Sequence, residues 1–511
     1  MNHGKVYLVG AGPGDPKLIT IRGLEAIQKA DVIVYDRLAS PRLLKHRKTG
    51  SRLIFVGKLP DKHMMKQHEI NQLLVDLAIE GHVVTRLKGG DPTVFGRVGE
   101  EAETLANNNI AFEIVPGVTS AIAVPAYAGI PVTYRDLTSS FAVVTGHEYP
   151  NKTYSRLEWE HLAKAVGTMV FLMGVANLEQ ICSRLIDNGK PLSTPVAIIR
   201  WGTWMEQRTL VGTLETIVDQ VREANFQSPA VIIIGEVVSL REKLAWFEKK
   251  PLFGQRILVT RARSQASELA EAIDELGGEA IEFPVISIQA PTSPEVLATL
   301  DHALHNLAAY EWVFFTSSNG VDYFFRRLRE LGLDIRALTG AKIAAVGPKT
   351  AEALSERGIV VDIYPEKFQA EDLLEAVRTH LKQGDKVLIP TNRLARGFLT
   401  EELSLLGIEV SKVEAYENIP CTEDSDEVVR LLEERAIGVV TFTSSSTVRN
   451  LFEALAASGV KEPIELLAGV RVACIGPKTA ETAREFGLDV SILAEEATIQ
   501  GLIDALITSR D

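Results

Sequence analysis

Cysteine is scarce in this chain of 511 residues. The three cysteines, Cys182, Cys421 and Cys474, lie far apart and form no C-x-x-C pair. This spacing predicts neither a disulfide framework nor a zinc or iron–sulfur site. His63 and His68 are near each other, but a spacing of five residues does not place them on one helical face. We therefore expect no metal site at these histidines either.

The chain also lacks a clear membrane-spanning segment. Residues 114–134 are mostly apolar and carry no charged side chain, but three prolines and two glycines interrupt them. Because such residues break a spanning helix, we expect a buried loop and a short helix here. The sequence enters a predicted strand directly and shows no signal peptide, so we expect a cytoplasmic protein with no membrane partner.

A basic excess, which is typical of nucleic-acid binding, is absent as well. The net charge is −13, and it is unevenly distributed. Residues 1–250 contain 29 basic and 26 acidic side chains, whereas residues 251–511 contain 25 and 41. This change predicts two units of different origin that meet at Pro251–Gly254, and it argues against a nucleic-acid partner. The length alone predicts about three or four domains.

What the first half does contain is a series of apolar strands that end in glycine turns. Residues 5–10 predict a strand that enters a turn at residues 10–16. A second predicted strand, which includes Val84, stops at Gly89-Gly90-Asp91-Pro92. Ligands of open parallel sheets bind at the carboxyl ends of the strands, so both turns are candidate binding loops. An ordinary strand-to-helix turn is the alternative for each.

The first turn departs from the fingerprint of dinucleotide-binding proteins. That fingerprint needs glycine where Asp15 stands, and Pro13 removes a backbone N–H group. The carboxylate of Asp15 would also repel a pyrophosphate. The sequence therefore argues against a nicotinamide or flavin dinucleotide.

Ionisable side chains follow two further predicted strands. Asp36 and Arg37 come after residues 31–35, and Lys58 comes after residues 53–56. Side chains at the ends of neighbouring parallel strands meet at one edge of the sheet, where they can act on one substrate. The segment from residue 37 to residue 66 is rich in cations, which suits a polyanionic small molecule; a solvated surface is the alternative.

These motifs together resemble those of the uroporphyrinogen-III C-methyltransferase family. The resemblance extends over residues 4–246 and includes VGAGPGDP, IVYDRL, VGK, RLKGGDPTVFGR, VPGVTSA, GIPVTYR, TGH and FLMG. It implies two α/β lobes, about 1–134 and 135–248, that hold S-adenosylmethionine between them, and a homodimer formed through this half. The implied cofactor contacts are Pro13, Gly89, Gly90, Asp91, Val94, Thr119, Ser120, Met173 and Gly202.

The same resemblance implies a reaction. The family methylates uroporphyrinogen III twice to give precorrin-2, and this substrate carries many carboxylates, which suits the cationic segment and Arg37. Asp36 and Lys58 match the family's proposed proton acceptor and proton donor. Methyl transfer to a pyrrole carbon requires loss of a proton elsewhere on the macrocycle, and Asp36 is our hypothesis for the base.

The second half contains an internal repeat that is visible without any family comparison. Residues 313–328 (VFFTSSNGVDYFFRRL) match residues 440–455 (VTFTSSSTVRNLFEAL), and residues 341–354 match residues 470–484. The repeat predicts two similar α/β lobes, each with a Thr-Ser-Ser turn and a Gly-Pro-Lys-Thr turn that enter helices. Such residues are ordinary helix caps, but several helix N-termini around one groove would bind carboxylates. The residues concerned are Thr316, Ser317, Ser318, Lys349, Thr443, Ser444, Ser445 and Lys478.

This half resembles the uroporphyrinogen-III synthase family over about residues 253–510. The resemblance implies a bilobal unit at 252–511, with one lobe from about 253–288 plus 418–511 and the other from about 292–412. It also implies cofactor-free cyclisation of hydroxymethylbilane to uroporphyrinogen III. Tyr416 stands where the family has a tyrosine suspected of assisting hydroxyl departure; a tyrosine that only packs at the lobe junction is the alternative.

Together the two resemblances predict an α/β chain of two enzymes, residues 1–248 and 252–511, in which the second makes the substrate of the first. Two alternatives remain open. The first half could methylate RNA, which the charge distribution disfavours, or the second half could be a noncatalytic tetrapyrrole-binding module.

Overall fold

The computed structural model describes residues 4–57, 65–147, 157–260, 263–283, 285–365, 370–393, 397–420 and 425–509. The chain forms two compact units. The first consists of Met1–Arg256 with Ile273–Glu279, and the second of Ile257–Ala272 with Ala280–Asp511. Both are built from α-helices packed on β-sheets, so the predicted α/β class is confirmed.

The first unit begins with a five-stranded parallel sheet in the order β3-β2-β4-β1-β5. Its strands alternate their buried side chains between two faces: Val6 and Val84 lie in the core beneath the second and third helices, and Val9 and Leu87 in the core beneath the first. The strands are β1 (Lys5–Gly10), β2 (Val32–Tyr35), β3 (Arg52–Phe55), β4 (Val84–Lys88) and β5 (Ala111–Val115). The helices are α1 (Ile21–Lys29), α2 (Gln67–Ile79), α3 (Val98–Asn107) and α4 (Ser120–Tyr127).

A second five-stranded sheet follows in the same unit, in the order β6-β7-β10-β8-β9. Only its β6–β7 pair is parallel, and the other neighbours are antiparallel. Its strands are β6 (Phe141–Thr145), β7 (Thr168–Leu172), β8 (Pro195–Arg200), β9 (Arg208–Thr213) and β10 (Ala230–Ile234). Its helices are α5 (Trp159–Ala165), α6 (Leu178–Asp187), α7 (Ile217–Glu223) and α8 (Arg241–Leu244).

The uncharged segment at residues 114–134 forms the end of β5, a loop and α4. Ala121 and Val124 of α4 are buried against Val170, Ala197 and Ile233 of the second sheet. The predicted short helix is therefore present. None of the helices among the described residues combines the length and the apolar character that a membrane span requires.

The second unit contains two larger sheets and one strand pair. The first sheet has the order β12-β11-β19-β20-β21, the second has the order β15-β14-β16-β17, and β13 pairs with β18. The strands are β11 (Arg256–Val259), β12 (Glu279–Glu282), β13 (Ile286–Gln289), β14 (Trp312–Phe315), β15 (Lys342–Ala345), β16 (Lys386–Thr391), β17 (Glu409–Glu414), β18 (Glu417–Pro420), β19 (Val439–Phe442), β20 (Arg471–Cys474) and β21 (Val490–Leu493).

Helices connect most of these strands. They are α9 (Arg263–Glu275), α10 (Pro294–His305), α11 (Ser318–Glu330), α12 (Pro348–Ser355), α13 (Ala370–Arg378), α14 (Phe398–Leu405), α15 (Ser425–Glu433), α16 (Ser445–Ala457), α17 (Pro463–Leu466), α18 (Pro477–Glu485) and α19 (Ile499–Thr508). The chain leaves the first sheet after β12 and returns to it at β19. The antiparallel pair β13–β18, in which Ile288 lies opposite Asn418, marks the outward and return crossings.

The internal repeat has a direct structural counterpart. In one lobe the N–H of Val346 donates to the carbonyl of Phe315 at 3.0 Å, and in the other the N–H of Ile475 donates to the carbonyl of Phe442 at 3.0 Å. Each bond joins the ends of two adjacent parallel strands. The predicted Thr-Ser-Ser and Gly-Pro-Lys-Thr turns therefore lie side by side at one edge of each sheet.

Candidate active sites

Three glycine loops meet at the carboxyl edge of the first sheet. A Cβ atom on Gly10 would lie 2.6 Å from the Cα of Gly117 and 2.7 Å from the carbonyl oxygen of Gly90. The N–H of Gly90 also donates to the carbonyl of Gly12 at 2.6 Å. The loops after β1, β4 and β5 thus touch backbone to backbone, which a side chain at Gly10 would prevent.

A cavity of about 360 Å³ opens beside these loops, between the two sheets of the first unit. Both lobes contribute to its wall, and Asp36 lies on it as well. Seven of the nine predicted cofactor contacts line the cavity: Pro13, Gly89, Gly90, Val94, Ser120, Met173 and Gly202.

The other two predicted contacts, Asp91 and Thr119, fasten the loops. Asp91 is 9% exposed, and its carboxylate accepts hydrogen bonds from both the N–H and the hydroxyl of Thr93 and, at 3.0 Å, from the N–H of Gly117. Thr119 caps α4 by accepting a hydrogen bond from Ala121 at 3.3 Å. These side chains hold the walls of the cavity and do not line it.

Backbone strain is concentrated at this cavity. Phe95, Met173 and Trp201 all line it and have φ angles of 55°, 58° and 48°. Bulky residues rarely adopt positive φ, and strain of this kind gathers at binding sites. Met173 is also 53% exposed, so its large apolar side chain borders the cavity and is not packed in the hydrophobic core.

The cavity fits a cationic ligand with a zwitterionic tail. A Cβ on Gly90 would find its nearest atom, the amide nitrogen of Ser120, at 3.6 Å, so the bare glycine backbone leaves room for a ligand. Asp36 places a carboxylate on the cavity wall, and the backbone N–H and carbonyl groups of the loops can bind polar atoms of an adenosine. The residues present therefore fit S-adenosylmethionine.

The wall around Asp36 contains charged side chains that sequence reasoning missed. Asp36 Oδ2 accepts a hydrogen bond from Arg86 at 3.2 Å, and Glu101 Oε1 accepts from Lys88 at 2.7 Å and from Arg86 at 3.4 Å. Arg86, Lys88 and Glu101 are 4%, 5% and 0% exposed. Burial lowers the pKa of Lys88, and Glu101 opposes this shift. The one sequence signal was two cations two residues apart on a predicted strand, hence on one face of the sheet.

Arg37 and Lys58 were the other polar predictions for this half. Arg37 is exposed, and its guanidinium carbon lies 5.9 Å from the ring centroid of Trp201. This contact places a cation beside the cavity wall. Lys58 lies outside the described residues.

In the second unit, Tyr416 lies between β17 and β18 and is only 5% exposed. Its hydroxyl lies 3.1 Å from the hydroxyl of Ser317 and accepts a hydrogen bond from the side-chain amide of Asn392 at 3.2 Å. Its ring also stacks on that of Tyr323, with centroids 6.0 Å apart. A buried phenol with two polar partners is oriented by them, and Asn392 was not predicted.

The predicted carboxylate-binding turns of this unit act locally as helix starts. Ser317 caps α11 and Ser444 caps α16, through bonds of 3.0 Å to the N–H of Gly320 and 3.3 Å to the N–H of Thr447. The hydroxyl of Thr316 donates to Thr391 at 3.4 Å. The other predicted residues lie in these same turns and helix starts: Ser318, Lys349, Thr443, Ser445 and Lys478. The side chains of Lys349 and Lys478 are exposed.

Comparison with known proteins divides the chain in the same way. Residues 5–218 match the family Tetrapyrrole (Corrin/Porphyrin) Methylases, and residues 267–504 match Uroporphyrinogen-III synthase HemD. The Porphyrin biosynthesis protein HemD of Ruminiclostridium josui is 43% identical over 507 residues, which cover 99% of this chain and 98% of that protein. The chain belongs to this fused methylase–synthase family.

The first unit is hereafter called the methylase unit and the second the synthase unit. The Uroporphyrinogen-III C-methyltransferase of Priestia megaterium is 57% identical over 236 residues, covering 46% of this chain and 99% of that protein. The S-adenosyl-L-methionine-dependent uroporphyrinogen III methyltransferase of Methanosarcina barkeri is 52% identical over 243 residues, covering 48% and 95%. The predicted membership of an S-adenosylmethionine-dependent methyltransferase family is thereby confirmed.

Proposed function

We propose that the synthase unit cyclises hydroxymethylbilane to uroporphyrinogen III and that the methylase unit methylates this product twice to give precorrin-2. The cavity of the methylase unit carries the proposal, because it joins bare glycine loops to the carboxylate of Asp36. A full-length relative with both halves in one chain supports the coupling of the two reactions.

In the methylase unit, Gly89, Gly90 and Ser120 on one wall of the cavity and Met173 and Gly202 on the other would hold the methyl donor. S-adenosylmethionine supplies an electrophilic methyl group when bound. Asp36 then accepts the proton that the methylated macrocycle loses, while Arg86 holds its carboxylate against the cavity. Lys58, which lies outside the described residues, is the proposed proton donor, and Arg37 binds a substrate carboxylate.

In the synthase unit we assign no cofactor. Tyr416 assists departure of the hydroxyl group, oriented by Ser317 and Asn392. The paired turns of the two lobes bind substrate carboxylates through helix N-termini and through Lys349 and Lys478. We take residues 1–248 and 252–511 as the two functional units and propose a cytoplasmic homodimer formed through the methylase unit.

One experiment with the full-length chain tests both halves. Hydroxymethylbilane is supplied without and then with methyl-labelled S-adenosylmethionine. Without S-adenosylmethionine, the expected product is uroporphyrinogen III with no isomer I. With labelled S-adenosylmethionine, the expected product is precorrin-2 that carries two labelled methyl groups.

Two outcomes contradict the proposal. If only isomer I appears, although added uroporphyrinogen III is methylated, the synthase unit is a noncatalytic tetrapyrrole-binding module. If label never reaches uroporphyrinogen III but is transferred to RNA or another unrelated acceptor, the methylase assignment is wrong.

A further inference from the structure

Lys88 is a buried cation on the wall of the methylase cavity. It is the last residue of β4, it is 5% exposed, and it lines the cavity immediately before Gly89. A lysine ammonium has three N–H donors. In the described part of the chain, its one side-chain hydrogen bond goes to Glu101 Oε1 at 2.7 Å. Donors therefore remain for a ligand in the cavity.

The neighbouring cation, Arg86, is already occupied. Its guanidinium donates to Asp36 at 3.2 Å, to the carbonyl of Leu87 at 3.0 Å and to the carbonyl of Val34 at 3.4 Å. Its Nε atom also lies 3.4 Å from Glu101 Oε1. The N–H groups of Arg86 are thus used in hydrogen bonds to the cavity wall, whereas Lys88 keeps N–H donors available for a ligand.

Glu101 holds Lys88 in place from beneath. It is fully buried, and its Oε1 atom accepts hydrogen bonds from Lys88, from Arg86 and, at 3.1 Å, from Gln67. Its Oε2 atom has no hydrogen-bond partner among the described residues. A buried carboxylate is costly, and the three donors gathered on Oε1 offset part of that cost while they fix the position of Glu101.

We propose that Lys88 binds a ligand carboxylate inside the methylase cavity and that Glu101 is the positioning residue that holds its ammonium at the cavity wall. A cation that is largely shielded from water binds a carboxylate more strongly than a fully solvated one. Two ligands of the proposed reaction carry this group: the methionine tail of the methyl donor and the side chains of uroporphyrinogen III. The identity of these ligands rests on the proposed function.

A buried ion pair that only ties β4 to α3 would behave differently. Replacing such a pair by neutral side chains of similar size is often tolerated without loss of stability. If Lys88 and Glu101 were only structural, the variant Lys88→Met/Glu101→Gln would bind every ligand as the natural chain does. The proposal instead requires a loss of affinity for one carboxylate-bearing ligand.

The test measures binding to the full-length chain by titration calorimetry. The ligands are S-adenosylhomocysteine and methylthioadenosine, which has the same nucleoside but no carboxylate, and KM and kcat for uroporphyrinogen III are measured in parallel. The control is Lys5→Met/Glu113→Gln, which removes a partly exposed pair with an N–O distance of 2.9 Å between β1 and β5. The control should match the natural chain in every measurement.

If Lys88 binds the donor's tail, the double variant weakens S-adenosylhomocysteine by about tenfold to hundredfold and leaves methylthioadenosine unchanged. If it binds the substrate, KM for uroporphyrinogen III rises by a similar factor while both nucleosides bind normally. Unchanged affinities and KM, or a fall in kcat alone, overturn the proposal. The calorimetric arm is informative even if the natural chain fails to methylate uroporphyrinogen III.

A pH series gives a second readout that does not depend on the double variant. Lys88 faces Glu101 and Glu100 of α3, Arg86 of β4 and Asp36 after β2. Without the charge of Glu101, the ammonium loses its proton at lower pH, so in Glu101→Gln the affinity should fall off earlier as pH rises. Because the ligand itself titrates equally with both proteins, identical pH profiles of affinity for Glu101→Gln and the natural chain would overturn the role of Glu101. In a separate variant, Lys88→Arg, affinity close to that of the natural chain supports the role of the cation.

Discussion

Asp36 and Arg86 form an ion pair on the cavity wall, with Asp36 Oδ2 3.2 Å from Arg86 Nη2. If Asp36 is the base, Asp36→Asn should bind S-adenosylhomocysteine within about twofold of the natural chain, while kcat falls by about 10²- to 10⁴-fold. Calorimetry and a methyl-transfer assay measure the two quantities, with Glu25→Gln on the exposed face of α1 as the control. Near-normal turnover would remove Asp36 from the mechanism.

Gly10 should not accept even one added methyl group. In Gly10→Ala the Cβ would lie 2.6 Å from the backbone of Gly117, so the loops must separate and both stability and donor binding should fall. A Cβ on Gly99, within α3, would find nothing within 4 Å beyond the backbone of its own helix, and Gly99→Ala should stabilise the unit by about 0.5–1 kcal/mol. Urea unfolding and calorimetry of both variants test this contrast. Equal behaviour of the two would refute the close approach of the loops.

The hydroxyl of Tyr416 should matter for the synthase reaction. Tyr416→Phe removes the contacts to Ser317 and Asn392, and we expect the rate of hydroxymethylbilane cyclisation to fall by at least about tenfold. Tyr323→Phe is a matched control, because that hydroxyl donates to the carbonyl of Ile288 at 2.5 Å. Full activity of Tyr416→Phe would leave the tyrosine as a packing residue at the lobe junction.

Glu113 should make the methylase unit sensitive to acid. Hydrogen bonds from Arg22, and next from Lys5, lower its pKa from 4.5 to about 2. Because the pKa is lower in the folded state, this stabilisation is present above pH 4.5 and is lost as pH falls towards 2. Denaturation followed by tryptophan fluorescence should show a gap between the natural chain and Glu113→Gln that closes over this range. A gap that is constant with pH would contradict the assignment.

Two thiols should be inert in the folded protein. Burial raises the pKa of Cys182 and of Cys474 to about 11, so little thiolate is present near neutral pH. Alkylation at pH about 8, followed by peptide mass analysis, should leave both unmodified until denaturant is added. Rapid labelling of either thiol in the native state would show that its core opens.

The sequence was informative wherever a pattern is local. The strand at Lys5–Gly10, the turn at Gly89-Gly90 and the helix starts at Ser317 and Ser444 follow from apolar runs, glycines and capping residues. Seven of the predicted cofactor contacts line one cavity, and five of them, Pro13, Gly89, Gly90, Val94 and Ser120, lie in the loops that follow parallel strands of the first sheet or at the start of the helix after them. These features need no knowledge of distant contacts.

Sequence reasoning failed where function depends on long-range burial. Glu101 and Lys88 look like ordinary surface charges until the fold places them 2.7 Å apart with Glu101 fully buried. The role of Asn392 follows only from its hydrogen bond to Tyr416, and no local sequence pattern connects the two residues. Asp91 follows the glycines as predicted, but its carboxylate is occupied by Thr93 and Gly117, which a linear motif does not reveal.

The chain of the synthase unit leaves its first sheet after β12 and returns at β19, and this order constrains how the unit folds during translation. β12 is translated soon after β11, but the other neighbour of β11 is β19, which is translated much later: Ile257 of β11 pairs with Val439 of β19. Meanwhile the unpaired edge of β11 is open to other chains. The sheet of β14–β17 is continuous in sequence and can form earlier. A chain that ends after β18 would therefore contain all the strands of the β14–β17 sheet, whereas β11 in the other sheet would keep one edge without its partner.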